Sequence, residues 1–400
     1  MSVLCCLLSD QHVPNLLSVH HFRPDRLVLI ESTAMQQRGV SDNFLIALEA
    51  GGLRYRKEQN CDVIPLDNIS DFQAIGTVLR HAFGKHPNAN WTVNLTGGTK
   101  PMSIAAYEFF KAVGARLVYV EVSKPHEIID VESATIGTAE HRLSISEFLL
   151  GYGFEQHKQE EKLKVAETRA RQWFDLSRLI AIHAAGENLL DIDRERWSLA
   201  RSKGLELQPG ELTSTVAPLR ESLTTTFNLD SIDGGLIGKL DKYQSSLLTG
   251  GWLEVFLWNL LDRHQQQLGI WDVRLGIEPG HRGADTPNDF DIAFMHKFEL
   301  NMIECKSGAQ EQDRDVDALY KVEAVIRQFR ALRVRSYLAT TSDNLFDKQG
   351  NIKPSLQDRA AIYNCRFVTK SEIQHLAEHV DDVSAVEHIL FARKPDTAVQ

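Results

Sequence analysis

With 400 residues, 43% of them hydrophobic, and a formal net charge of −10, the chain is long enough for two or three domains with buried cores. That acidic balance excludes a protein that coats nucleic acid indiscriminately, while a local basic patch could still hold a phosphate backbone. No apolar run approaches the roughly 20 residues that span a membrane, and Val3-Leu4-Cys5-Cys6-Leu7-Leu8 lacks the basic flank and length of a signal peptide, so a cytoplasmic location is expected.

Residues 1–150 alternate β-like and helical segments, with strands expected at 3–8, 26–31, 92–95 and 117–122, the pattern of a parallel α/β sheet. The clearest unit is Trp91-Thr92-Val93-Asn94-Leu95, then the turn Thr96-Gly97-Gly98-Thr99-Lys100-Pro101, then a helix burying Met102, Ala105, Ala106, Phe109 and Val113. Pro101 suits the first helical position, and Gly114 ends the helix. From 152 to about 200 the pattern is helical and rich in charge, as in Gln159-Glu160-Glu161-Lys162-Leu163-Lys164, and reads as a connector. Breaker signals at Asp233-Gly234-Gly235 and Thr249-Gly250-Gly251 place a seam between 224 and 251. The expected division is therefore 1–150, a helical connector over 151–245, and a second α/β domain over 246–400. That last domain should hold an apolar helix at 252–261, a strand near 271–277, two further strands, a helix at 315–332 and a strand at 335–340. Five cysteines without a Cys-x-x-Cys pair make neither a disulfide framework nor a zinc site and read as small buried hydrophobes.

The richest chemistry lies in Asn288-Asp289-Phe290-Asp291-Ile292-Ala293-Phe294 and Leu300-Asn301-Met302-Ile303-Glu304-Cys305-Lys306, two apolar runs with charges at one end. A hairpin turning over 296–299 pairs Met295 with Leu300, and so sets Asp291 opposite Glu304. Carboxylates about 5 Å apart repel unless a proton or cation sits between them, and a divalent ion resolves the repulsion. Alternation puts Lys306 on the face of Glu304 and turns Cys305 toward apolar packing.

The turn Thr96 to Lys100 fits neither the phosphate loop of ATPases nor the dinucleotide turn, yet a glycine turn before a helix favours anions, and a tight βα turn chosen for geometry is the competing reading. The run Asn94-Leu95-Thr96-Gly97-Gly98-Thr99-Lys100-Pro101-Met102-Ser103 resembles the signature of the CARF domain, the Rossmann-like sensor of CRISPR-associated proteins. The resemblance implies a cyclic oligoadenylate bound by Thr96, Gly97, Gly98, Thr99 and Lys100 together with the loops after the first two strands, here Asp10 with Gln11 and Ser32 with Thr33. A ring with a two-fold axis is matched by two identical half-sites, so a homodimer is expected.

Asp291 with Glu304-Cys305-Lys306 is similar to the PD-(D/E)xK nuclease motif, with Phe290 in place of its proline. The resemblance implies a restriction-endonuclease-like domain that hydrolyses phosphodiesters with Mg or Mn held by hard oxygen ligands. It also implies that Glu254, on the preceding helix, completes the metal site, and that Lys321 matches a basic position of related nucleases. Arg327, Arg330 and Arg333 line one side of the expected helix, with Arg335 beyond, and read either as a track for the substrate backbone or as a solvated face. The order of parts resembles the CRISPR ancillary nucleases of Can2 or Card type. By that likeness cyclic tetra-adenylate, made in type III antiviral defence, activates cleavage of single-stranded RNA or DNA and nicking of duplex plasmid DNA. Two other readings stay open: a CARF-type regulator that binds nucleic acid without cutting it, and a nuclease of the same superfamily without nucleotide gating.

Overall fold

Ser2–Leu7 (β1) carries no charged side chain, and every residue after the first is buried, as a strand covered on both faces requires. It is an interior strand of a seven-stranded sheet in the order β3-β2-β1-β4-β5-β6-β7, built with Arg26–Ser32 (β2), Cys61–Leu66 (β3), Asn90–Asn94 (β4), Arg116–Val120 (β5), Glu127–Asp130 (β6) and Ile136–Thr138 (β7). The first five strands run parallel, and β6 and β7 are added antiparallel at one edge. The four predicted strands are present. β3 was not anticipated, because Asp62 and Pro65 interrupt it; proline is tolerated there because β3 is an edge strand.

The computed structural model describes residues 1–213, 216–232, 235–284, 287–307, 334–362 and 364–391, apart from the side chain of Arg194. The chain divides into two units, 1–157 with 279–287, and 158–278 with 288–400. In the first, Val3, Cys5, Leu7, Val28, Ile30 and Val93 of the sheet form a core with Met102, Ala106 and Phe110 of the Lys100–Ala112 helix. Phe110 rather than Val113 is the buried residue of the last turn, since Val113 is the C-cap and 39% exposed. The unit also holds a two-stranded ribbon, Phe154–Gln156 (β8) with a partner from the 279–287 segment.

The second unit has a small sheet, Leu205–Leu207 (β9), Asp230–Ile232 (β10) and Gly235–Leu240 (β11). After Ile270–Ile277 (β12) the chain contributes Pro279–His281 (β13) to the ribbon with β8, then adds Phe290–His296 (β14), Glu299–Lys306 (β15), Val334–Thr340 (β16) and Cys365–Val368 (β17). The order is β12-β14-β15-β16-β17, antiparallel as far as β15 and parallel beyond it. Against it lies the Trp252–Arg263 helix, buried continuously from Val255 to Leu261. A helix apolar on all sides belongs in a core. The helices Glu160–Gln172 and Phe174–His183, read from sequence as connector, bury Leu176, Ile180 and Ala170 in this same core, and Phe174 stacks on Phe256 with centroids 6.4 Å apart.

All five cysteines are free, four buried and Cys305 half-buried, as expected of small hydrophobes. Among the described residues no helix is long and apolar enough to cross a membrane. The expected 315–332 helix, with Lys321, Arg327 and Arg330, lies outside the described residues, as does Arg333.

One buried polar network joins sheet, helix and turn in the first unit. The Asn94 amide donates to Asn15 Oδ1 and Ser18 Oγ, both at 2.9 Å, Asn15 donates to the Leu7 carbonyl at 3.0 Å, and Asn94 Oδ1 accepts from the Thr96 amide at 3.0 Å. Removing one member leaves buried partners unsatisfied. Asn94→Ala is expected to destabilise the first unit by about 2 kcal/mol, read from the midpoint of its denaturant unfolding; an unchanged midpoint would show that the network is not holding the turn.

Candidate functional site

The hairpin closes through Lys297 and Phe298, both with positive φ (+49° and +61°), the backbone of a two-residue type I′ loop. Neither is glycine, and the apolar contact of Phe298 with Trp271, centroids 5.3 Å apart, helps hold the conformation. Met295 faces Leu300 and Ile292 faces Ile303, the register expected from sequence, and Asp291 and Glu304 are one step further along. Asp291 is half-buried, and its Oδ2 accepts the amide of Cys305 at 2.6 Å, which orients the carboxylate across the strands. Glu304 is 1% exposed and takes the Lys306 ammonium at 2.6 Å. A carboxylate so deep is sustained only by such a partner. Cys305 points the other way, against the core, and burial pushes its thiol up.

Glu254 stands in the first turn of the Trp252–Arg263 helix. Its carboxyl is pushed up to about 8, first by burial and then by the charge of Asp291, with Glu304 adding and the cations of Arg201 and Lys158 opposing. Burial pulls Lys306 down, but Glu304 and then Asp291 more than offset it, so the ammonium is raised above its ordinary value. Three oxygen-donor acids thus act on one another in a partly desolvated place, and a proton on Glu254 relieves the repulsion. A hard divalent cation is the other species that could do so, and this donor set fits magnesium or manganese.

The turn before the helix matters as much. Thr249-Gly250-Gly251, read from sequence as a seam, abuts the acids: Ser307 Oγ donates to the Gly250 carbonyl at 2.8 Å, Gly250 has φ +128°, and a Cβ on Gly251 would lie 2.9 Å from Glu254 Oε1. Paired glycines directly before an acidic helix were the available signal.

In the first unit, the loops after β1, β2 and β4 leave the same edge of three adjacent parallel strands. Chain order reverses between β1 and β4, the crevice where open α/β sheets bind ligands. A Cβ on Gly97 would meet the Leu7 carbonyl at 1.8 Å, and Gly98 has φ +73°, so both positions require glycine. Thr96 Oγ1 accepts the Val120 amide at 2.7 Å, and Ser103 Oγ donates to the Gly97 carbonyl at 3.1 Å. Thr99 caps the next helix, and Lys100 is exposed. Asp10 pairs with Arg38, the Gln11 amide donates to Ser9 Oγ at 3.2 Å, Ser32 caps the Thr33–Gln37 helix, and Thr33 Oγ1 donates to Asp67 at 3.2 Å.

Two family models match the chain: a Card1 CARF domain over residues 3–148 and a Card1-like endonuclease domain over 241–387. The chain belongs to the Card1 family. It pairs an N-terminal CARF domain with a C-terminal endonuclease domain, and the protein is a nuclease. Among solved structures it is similar to Can2 from Sulfobacillus thermosulfidooxidans in complex with cyclic tetra-adenylate, at 19% identity and TM-score 0.65, covering 95% of this chain and 99% of that one. It is also similar to protein VC1899 from Vibrio cholerae, at 17% identity and TM-score 0.75, covering 96% and 98%. At these identities the likeness is one of fold. No curated protein matches the chain.

Of the residues singled out in the endonuclease domain, the structure pairs Lys306 with Glu304 and sets Asp291 and Glu254 within reach of their charges, the ligand oxygens of the three acids not all lying within 4.8 Å of one another, while Lys321 lies outside the described residues. Arg335 is elsewhere: it pairs with Asn301, whereas Lys306 pairs with Thr340 five residues along, roughly 17 Å away. In the CARF domain all three loops share one edge, and sequence reasoning missed the supporting Asn15 and Arg38, which stand in no motif, and the supporting role of Asn94, which opens the CARF-like run.

The proton on Glu254 has a consequence for stability. The folded protein keeps it up to about 8, while an ordinary glutamate loses it near 4.5, so the native state binds more protons between those values and stability falls as pH rises through that window. In EDTA, Glu254→Gln should reduce this fall, measured by urea unfolding at a series of pH values; an identical pH dependence in both proteins would show that Glu254 ionises freely.

Proposed function

We propose that this protein is a cyclic oligoadenylate-activated, metal-dependent endonuclease of type III CRISPR antiviral defence. Cyclic tetra-adenylate is the activator, and single-stranded RNA or DNA is the substrate, with nicking of duplex DNA as a further activity. The observation that carries this reading is the placement of Asp291, Glu304 and Lys306 at the open end of one hairpin, with Glu254 of the preceding core helix under the charges of both acids. Magnesium or manganese held by those three acids would supply Lewis-acid polarisation of the phosphodiester and a nucleophile at neutral pH.

Each residue has a task that follows from its surroundings. Asp291 is aimed by the Cys305 amide and would serve as a carboxylate ligand of the cation. Glu254, protonated in the metal-free protein, would hold a cation as its carboxylate, the proton leaving to solvent. Lys306 has three protons, one of them given to Glu304 among the described residues, and its ammonium would bind a non-bridging phosphate oxygen and offset the charge that grows there.

On the sensor side, Gly97 and Gly98 let the backbone approach a ligand, and Lys100 adds a cation at the helix start. Asp10, Gln11, Ser32 and Thr33 complete the rim. The Can2 structure holds cyclic tetra-adenylate in the same overall fold, which supports that ring as the activator here. A two-fold symmetric ring would bridge two CARF domains, and activation is a population shift toward the state of the homodimer that binds the ring more tightly.

Lys306→Ala is expected to keep ring affinity within about twofold and to lower cutting by at least about 100-fold, measured on single-stranded RNA, single-stranded DNA and supercoiled plasmid. Normal cutting by that variant would refute the site. The same assay, run with and without cyclic tetra-adenylate in Mg, Mn or EDTA, tests the gate: activity should need both ring and metal. Cutting without the ring identifies an ungated nuclease, and binding without cutting in either metal identifies a regulator. Sedimentation should show a dimer; a monomer with and without ring would overturn the symmetric half-sites.

A further inference from the structure

Beside Glu254, a cavity of about 210 Å³ opens between the Glu160–Gln172 helix, the Lys242–Ser246 helix, the start of the Trp252–Arg263 helix and β12. Its lining includes Glu254 itself, so whatever fills it lies next to the acids. The chemistry of the walls is distinctive. The Arg169 guanidinium lies over the Tyr243 ring, 3.4 Å from its centroid, and 5.9 Å from that of Trp173. Tyr243 is 43% exposed, although a large aromatic ring usually seeks cover. Lys158 donates to the carbonyl of Gly276, whose φ of +69° favours glycine, at 2.8 Å. Lys158 is thereby held in place with two protons to spare.

Among the described residues neither Arg169 nor Lys158 forms an ion pair. In a chain of net charge −10, two unpaired cations and two aromatic rings facing one cavity beside an acid cluster is an unusual concentration. Cations that track phosphate and flat groups that stack on bases are the two components of single-strand recognition. The volume is on the scale of one nucleobase and too small for a base pair, which matches an extruded or unpaired base rather than a duplex.

We infer that this cavity is a nucleotide subsite, taking the base that flanks the scissile phosphate of a single strand. Its base stacks on the Arg169, Tyr243 and Trp173 platform, and Lys158 contacts the phosphate between that base and the cut. The inference rests on the nuclease reading and adds what that reading leaves open, namely the source of preference for unpaired substrate.

The test uses the full-length protein with cyclic tetra-adenylate and Mn, and compares Arg169→Ala, Tyr243→Ala and Tyr243→Phe with the parent. Substrates are a fluorescein-labelled single strand, as RNA and as DNA, and the matching blunt duplex. Loss of stacking should raise KM for single strands about tenfold in both alanine variants, with kcat, melting temperature and duplex nicking unchanged, and Tyr243→Phe should behave as the parent. An unchanged KM would overturn the subsite. So would a fall in melting temperature that accounts for the lost activity, because the stack would then be only a clamp between two helices. If the parent cuts nothing, the nuclease reading fails separately. Fluorescence anisotropy with the same strands then decides the subsite: about tenfold weaker binding by the alanine variants supports it, and equal binding sinks it.

Discussion

Repulsion among three carboxyl groups is the constraint on which the functional end of this molecule turns. Glu254, Asp291 and Glu304 come from a helix and two strands, and burial first, then the charge of Asp291, raises the affinity of Glu254 for its proton. Such a cluster is unfavourable for folding in its own right. It persists because Lys306 and the Cys305 amide neutralise or hydrogen-bond two of the three, and because the surrounding core leaves the backbone no alternative. A helix buried from Val255 to Leu261 cannot rotate Glu254 outward without exposing Trp258 and Phe256. The apolar packing therefore holds Glu254 in its protonated form, and a divalent cation would compete with that proton.

Glycine does the corresponding work of position. Gly250 and Gly251 allow the helix to start against Ser307 and beside Glu254, and Gly97 and Gly98 allow the sensor turn to pass over the Leu7 carbonyl. In both cases a side chain would occupy space that backbone or a functional group already fills. The buried Asn94–Asn15–Ser18 network adds direction to the sensor turn, since hydrogen bonds fix orientation where apolar contacts fix only proximity.

Much of this was legible before any coordinates. The apolar runs 290–296 and 299–306 carry a register, and the hairpin follows it, so Asp291, Glu304 and Lys306 could be grouped by counting. The strands flanking the 96–101 turn were equally plain. What escaped the sequence depended on packing between distant segments. β3 was hidden by Asp62 and Pro65, whose tolerance reflects its place at the sheet edge. The helices after residue 158 were read as connector because their charge is conspicuous, but their apolar stripe enters the endonuclease core. The Arg169, Tyr243 and Trp173 group comes from two helices some 70 residues apart, and no periodicity announces it.

One cation is expected among Glu254, Asp291 and Glu304. Crystals of the full-length protein soaked in manganese, with anomalous data collected at the manganese edge, test it most directly. A peak within coordination distance of oxygens from all three acids, absent in Asp291→Asn, is the predicted result. A map without that peak, or one in which the manganese avoids these side chains while they stand apart, would contradict it.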